Sequence, residues 1–437
     1  GRCDMAKVLD KSLVVNILSL LAYRGASFLF PLATLPYLAR VLGVDHMGIL
    51  ALAIACVLYC STISDWGFNV FTTKDIAHHR DDKARVTQLF WSTFNAKLML
   101  LLVTSGTLLT ATWFNPSWHS LFFIILANCT TLIGSLFSFG WLMQGFEKLG
   151  KTAVIATFGN FCAIPLTFLL VKTPDDTWLA ALIPGAVSII NAIITLKFVL
   201  EMKVIGAYRF EPREIKQRIT DSADVFIAIA GANLFNSVNV VILASFTSHY
   251  MVGIYNGADR LRKAANSVPE QIGSAFFPRV SHLFGRDKAA AVAATRKSLM
   301  LSFALSLSIV IFTWLFADEV VALLLGKDFL PSADVLRVFV LCFLFGNIAY
   351  PAGLQILIPH GLARQRMMVM MVAGVVNVPV CCLLAWKFGA IGAAWSMVLA
   401  EVLVCIGIFG IMVRHNIWRD YAFPDRLNSR TANDSVV

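Results

Sequence analysis

Long uncharged apolar blocks alternate with short polar connections along almost the whole chain. Each block is close to the roughly 20 residues that cross a bilayer core of about 30 Å. The pattern predicts spans at about 13–35, 47–65, 92–112, 119–143, 152–171, 178–199, 222–246, 250–277, 298–317, 333–357, 366–386 and 389–413. The expected fold class is an all-α integral membrane protein of about twelve transmembrane helices in two six-helix lobes. The longest inside connection, KVIGAYRFEPREIKQR, divides the spans six and six. That division gives a tail at 1–12, an N-lobe at 13–200, a linker at 201–218, a C-lobe at 219–413 and a second tail at 414–437.

A short repeat crosses the linker. Leu38-Ala39 stand ten residues before Gly48-Ile49, and Leu243-Ala244 stand ten before Gly253-Ile254. Six helices per half start both halves on the same membrane side, so the repeats would be parallel about an axis along the membrane normal.

Composition agrees with many spans rather than one large core. Hydrophobic residues make up 58% and charged ones only 14%, with mean hydropathy +0.74, which excludes an ordinary soluble domain. The net charge of +10 is spread over short loops and is not gathered on a soluble face, so nucleic acid is not an expected partner. With the N-terminus inside, inside segments hold 26 Lys and Arg and outside loops hold four, Arg40, Lys172, Lys327 and Lys387. The positive-inside rule then puts both termini in the cytoplasm. Eight of nine cysteines fall within spans and read as small packing residues. Met5 is a candidate natural start behind an appended Gly1–Asp4, and the first apolar block, with no small-residue cleavage site, is expected to be retained.

The spans contain charges that cost a few kcal/mol each at bilayer depth and therefore face a bundle interior or a wet cavity. In the eighth span Asn256, Arg260, Lys263, Ser267, Glu270 and Ser274 recur at three- and four-residue spacing, with Asp259 and Asn266 beside them. One reading is internal pairing, Asp259 with Lys263 at (i, i+4) and Glu270 with another helix. The other is a water-filled cavity whose surplus positive charge from Arg260, Arg262 and Lys263 attracts an anion; Arg262 lies to the side and could snorkel. The first span carries Arg24 at mid-depth with Pro31 and Pro36, the seventh carries Asn233 and Asn236, and the second ends in Asp65-Trp66-Gly67. Lys97 reads as a snorkelling structural residue, Asp334 and Arg337 as a mutual pair, and His78-His79 as solvated.

No phosphate loop, dinucleotide fingerprint, nucleophile elbow or zinc motif is present, and the outside loops are too short for a catalytic domain. The expectation is a transporter, not an enzyme, without cofactor or metal.

Three stretches, PYLARVLGVDHMGILALA, DWGFNVFTTKDIAHHRDD and GIYNGADRLRKAANSVPEQIGSAFFPRVSHL, resemble the Wzx-type O-antigen flippases. These are polysaccharide transporters of the multidrug/oligosaccharidyl-lipid/polysaccharide exporter superfamily. The resemblance covers nearly all of the helical region and implies two lobes around a central cavity lined by helices one, two, seven and eight. It implies a multi-pass protein of the bacterial inner membrane that moves an undecaprenyl-diphosphate-linked oligosaccharide outward by alternating access, for lipopolysaccharide biosynthesis. Arg24, Arg260 and Lys263 would form the cationic substrate site. Asp65, Asn233, Asn236, Asp259, Arg262, Asn266 and Glu270 would line the cavity or couple transport to an H+ or Na+ gradient. Expected partners are the polyprenyl-diphosphate-linked glycan, membrane lipid, and a polysaccharide polymerase and chain-length regulator, with a monomer as default. Alternatives are a multidrug or cation antiporter of the same fold, a peptidoglycan-precursor or teichoic-acid exporter, and a membrane-embedded glycan polymerase or ligase.

Overall fold

A computed structural model describes residues 11–422, with side chains left undescribed for residues 11–31 and for positions that include Asn233, Asn236 and Ser274. Arg24, Asn233 and Asn236 therefore lie outside the described side chains. Every described regular element is helical. The helices are α1 (Lys11–Asp65), α2 (Phe68–His78), α3 (Lys83–Phe114), α4 (Phe122–Leu136), α5 (Gly140–Gly145), α6 (Leu149–Leu170), α7 (Thr177–Glu201) and α8 (Pro212–Asp221). They continue as α9 (Ala223–Phe246), α10 (His249–Phe284), α11 (Lys288–Leu324), α12 (Ser332–Phe339), α13 (Cys342–Ala352), α14 (Ala363–Arg414) and α15 (Trp418–Ala422).

Eight described stretches are long and apolar enough to cross a membrane. Two helices, α1 and α14, contain two predicted spans each. Where a loop was expected between spans one and two, α1 runs on through Pro36 and breaks at Gly43, whose φ of 72° favours glycine. α14 breaks in the same way at Gly389, φ 61°. The fourth predicted span is interrupted at Phe139, φ 45°, between α4 and α5, and the tenth divides into α12, α13 and a π-helical turn at Gly353–Leu357. α10 falls short on apolarity because of the charges within it. The chain is a multi-pass helical membrane protein.

Residue contacts divide the chain into two units, residues 1–230 and 231–437. In the first, α1, α4, α6 and α7 pack together through small residues. The missing Cβ of Gly134 on α4 leaves room for Ser188 on α7, and Gly185 on α7 leaves room for Thr130 on α4. Lipid gives no hydrophobic drive between helices, so such close approach supplies the contact energy. The linker helix α8 belongs to this unit: Ile215 packs with Phe68 and Ala96, and Arg218, 2% exposed, binds Asp75 at 2.5 Å. Asp65-Trp66-Gly67 forms the turn from α1 to α2. Trp66 stacks on Phe226 at 3.9 Å and donates from Nε1 to the Ile219 carbonyl at 2.8 Å.

In the second unit α10 packs on α11, α12 and α13, and α13 on α14. Large apolar side chains such as Phe312, Leu315 and Trp386 point outward, as a lipid-facing surface requires. The cysteines within spans are free thiols, as expected of packing residues. α15 folds back so that Asp420 meets Lys288 at 2.7 Å, while the His360 ring lies 4.7 Å from the Phe284 ring and 6.4 Å from that of Tyr421.

Burial pushes His360 below its ordinary 6.5, with Lys288 adding to the effect; its ring nitrogen at 2.7 Å from the Ile356 carbonyl and the Asp420 charge oppose it. The sign follows directly. Above 6.5 the imidazole is neutral whether α15 is docked or not; below it the undocked state takes up the proton first, so docking weakens as pH falls. Hydrogen exchange at residues 418–422 should therefore quicken on acidification, and His360→Gln should flatten that dependence.

Candidate functional site

The charged cluster forms on α10 because positions 255, 259, 262 and 266 share one helix face, turned toward α12 and α13. Asp259 and Arg262 are 5% and 7% exposed. Asp259 Oδ1 accepts from Arg262 Nε at 2.9 Å and Nη2 at 2.7 Å, and its Oδ2 meets Lys263 Nζ at 2.7 Å. The Arg262 guanidinium also sits 5.3 Å from the centroid of Phe339 on α12.

Internal pairing and surplus charge, which the sequence left as rivals, thus coexist. Asp259 takes up two cations, and the segment 259–263 keeps a net charge of +2. Arg262 does not snorkel; it turns inward. Lys263 keeps its side chain about half exposed although its ammonium is bound. Arg260 is half-buried, and among the described residues no carboxylate lies within ion-pair distance of it.

Arg262 also lines a cavity of about 200 Å³ inside the second unit, together with Asn266, Glu270, Asn347, Tyr350, Arg366 and Glu401. Asn347 ties the cavity wall together, donating to Asn266 Oδ1 at 3.0 Å and to Ser306 at 2.9 Å. Glu270 is exposed, with no described partner helix bonded to it. Glu401 and Arg366 were not among the candidates. Glu401 is the one acid within the apolar block 389–413, a signal readable in the sequence but passed over.

Elsewhere in this unit Asn239 donates to the Ala393 carbonyl and to Ser396, both at 3.1 Å, and accepts from Asn377 at 2.8 Å. These contacts join α9 to both halves of α14. In the first unit Asp65 is not open to a cavity alone: Lys97 Nζ lies 2.7 Å from its Oδ1 and donates to the Ser135 carbonyl at 2.9 Å. Lys97 is 3% exposed, so it too is buried rather than snorkelling. Arg337 pairs with Asp334 at 2.9 Å as expected, and also with Asp318 at 2.5 Å. No group of three or more metal-ligating side chains occurs among the described residues.

Comparison with known proteins gives the family and the fold. The family described as "Polysaccharide biosynthesis protein" matches residues 13–284, and the MatE family matches residues 225–383. A protein of Escherichia coli (strain K12) named "Putative O-antigen transporter" is 27% identical over 405 residues, covering 93% of this chain and 97% of the relative. A protein of the same name from Shigella dysenteriae is 26% identical, covering 90% and 98%. Among solved structures, the lipid II flippase MurJ in an inward closed conformation superposes with TM-score 0.74 at 11% identity, covering 91% of this chain and 87% of MurJ. An inward-facing multidrug resistance MATE family transporter gives 0.63 at 15% identity, covering 89% and 96%. The helical membrane fold is the one these transporters share, and with more than half its length matched the chain belongs to the polysaccharide biosynthesis protein family.

Proposed function

We propose that this protein is a flippase for a lipid-linked oligosaccharide, and that Arg260 and Lys263 bind the diphosphate of its carrier lipid. The observation that carries this reading is the net positive charge of 259–263 on a membrane-embedded helix, with Lys263 both half exposed and bound to a carboxylate that has a second cation. An arriving diphosphate pairs with Arg260 and draws Lys263 away, while Asp259 stays satisfied by Arg262. No buried charge is orphaned in the exchange. Near full-length similarity to relatives named for O-antigen transport supports the substrate class.

The finer reading is export of an undecaprenyl-diphosphate-linked O-antigen unit, or a similar glycan, from the cytoplasmic to the periplasmic face of the bacterial inner membrane. An inside-negative potential helps that direction by about 2.3 kcal/mol per charge per 100 mV. In a strain lacking its own exporter, Arg260→Ala and Lys263→Ala should each cut surface polysaccharide about tenfold or more, roughly 1.4 kcal/mol of lost binding, at unchanged protein level in the membrane. Normal surface polysaccharide in both variants would overturn the site.

The MatE match over 225–383 favours a second reading, efflux of cationic amphiphiles. It predicts that the wild-type chain raises resistance to cationic dyes, an outcome that the surplus of bases on α10 argues against.

A further inference from the structure

The cavity of about 200 Å³ in the second unit contains a carboxyl that the substrate site does not use. Glu401 lies in the second half of α14, and its carboxyl is packed against Gly346 of α13: a Cβ there would stand 2.9 Å from Oε2 and 3.1 Å from Cδ. Two helical turns on, Gly353 makes the same room for Arg366, whose Nε would lie 2.7 Å from an added Cβ. Two glycines seven residues apart thus admit two charged side chains of α14. The second opens a π-helical turn, an irregularity often found at functional sites.

We propose that Glu401 is a proton-binding site whose occupancy sets the anion affinity of the α10 cluster; this rests on the flippase reading above. A charged carboxyl at this depth is costly unless a cation satisfies it. The cation across the cavity is Arg262, and it is already held by Asp259 at 2.7 and 2.9 Å. Glu401 and Asp259 therefore compete for one guanidinium.

When Glu401 is ionised, Arg262 is shared and Asp259 grips Lys263 harder. When water delivers a proton to the carboxylate and an O–H bond forms, Arg262 returns to Asp259 and Lys263 is released toward an anion. Protonation also adds one positive charge to the cluster, so proton and anion binding favour each other, and by linkage each strengthens the other equally.

The groups that face Glu401 fit a proton better than a metal ion. Arg262 from α10 and Arg366 from the first half of α14 oppose a cation. Tyr350 and Cys342 of α13 line the same cavity, and Cys405 follows Glu401 one turn on along α14. The exposed Glu270 is the other carboxyl lining the cavity. A metal ion needs a shell of oxygens, and the Asn266 carbonyl oxygen is occupied by Asn347.

The test uses the full chain in proteoliposomes. Infrared difference spectra between acidic and alkaline buffer should show a carboxyl C=O band that is absent from Glu401→Gln, displaced in Glu401→Asp and insensitive to sodium. Farnesyl diphosphate, used as a probe anion, should bind wild-type protein about tenfold more tightly in acid. Glu401→Gln, which fixes the neutral state, should bind it tightly at both pH values. The same band in Glu401→Gln, a band moved by sodium at fixed pH, or an unchanged pH dependence of probe binding in that variant would each overturn the proposal. A probe that binds no form of the protein, beside a band lost in Glu401→Gln, would instead sink the flippase reading and leave the proton site standing.

Discussion

Asp259→Ala is expected to destabilise the second unit by about 3–5 kcal/mol, the range for removing one partner of a buried ion pair. Arg262 is 7% exposed, and its described hydrogen bonds all go to Asp259 Oδ1. Without that carboxylate a guanidinium stays packed against Phe339, and the described carboxyls left to answer it are Glu401 and Glu270 of the shared cavity, neither of them ion-paired to it. Thermal unfolding in detergent measures the effect, alongside the amount of protein reaching the membrane. The double variant Asp259→Ala with Arg262→Leu should recover much of the loss, because a well-packed apolar pair often replaces a buried ion pair at little cost. A single variant as stable as wild type would show that Arg262 finds another partner and that the pair is not the anchor of α10.

Gly134→Ala is expected to separate α4 from α7 in the first unit. The added methyl would lie 2.7 Å from the Ser188 backbone carbon and 2.6 Å from its Cβ, and a backbone atom cannot move aside as a side chain can. Overpacking commonly costs about 1–3 kcal/mol, and this contact belongs at or above the top of that range. Ser188→Gly should relieve only part of the clash, since the backbone carbon remains. Gly106→Ala, on α3 with nothing near its missing Cβ, is the control expected to be neutral or slightly stabilising. Solubilised yield and thermal unfolding of the three variants decide the matter; equal stability for Gly134→Ala and Gly106→Ala would refute the close approach.

The two variants bear on different layers of what could be read beforehand. Apolar block length alone located the helices, since crossing the bilayer is a local requirement that each segment meets by itself. It put boundaries at or beside Gly43 and Gly389 but could not show that each is a kink and not a loop, because only the backbone angle distinguishes the two. The polar stripe on α10 was legible from spacing, and so was the Asp259–Lys263 pair, because both partners lie on one helix.

Partners on different helices were not legible. Lys97 near the end of its span looked free to reach the interface, yet it spans the gap between Asp65 and Ser135. Glu401 was visible as a lone acid in an apolar block, but its nearness to Arg262 and Arg366 depends on Gly346 and Gly353, which look like ordinary glycines in sequence.

By itself, then, the sequence determined the membrane class, the helical segments, the surplus of bases on one of them and the family. The tertiary structure decided which charges neutralise one another, which glycines admit a neighbour, and which acid shares a cavity with Arg262. The reason is physical: hydropathy and helical period act within a single segment, whereas the cost of a buried charge is met by whichever group the packing of other helices brings within a few ångströms.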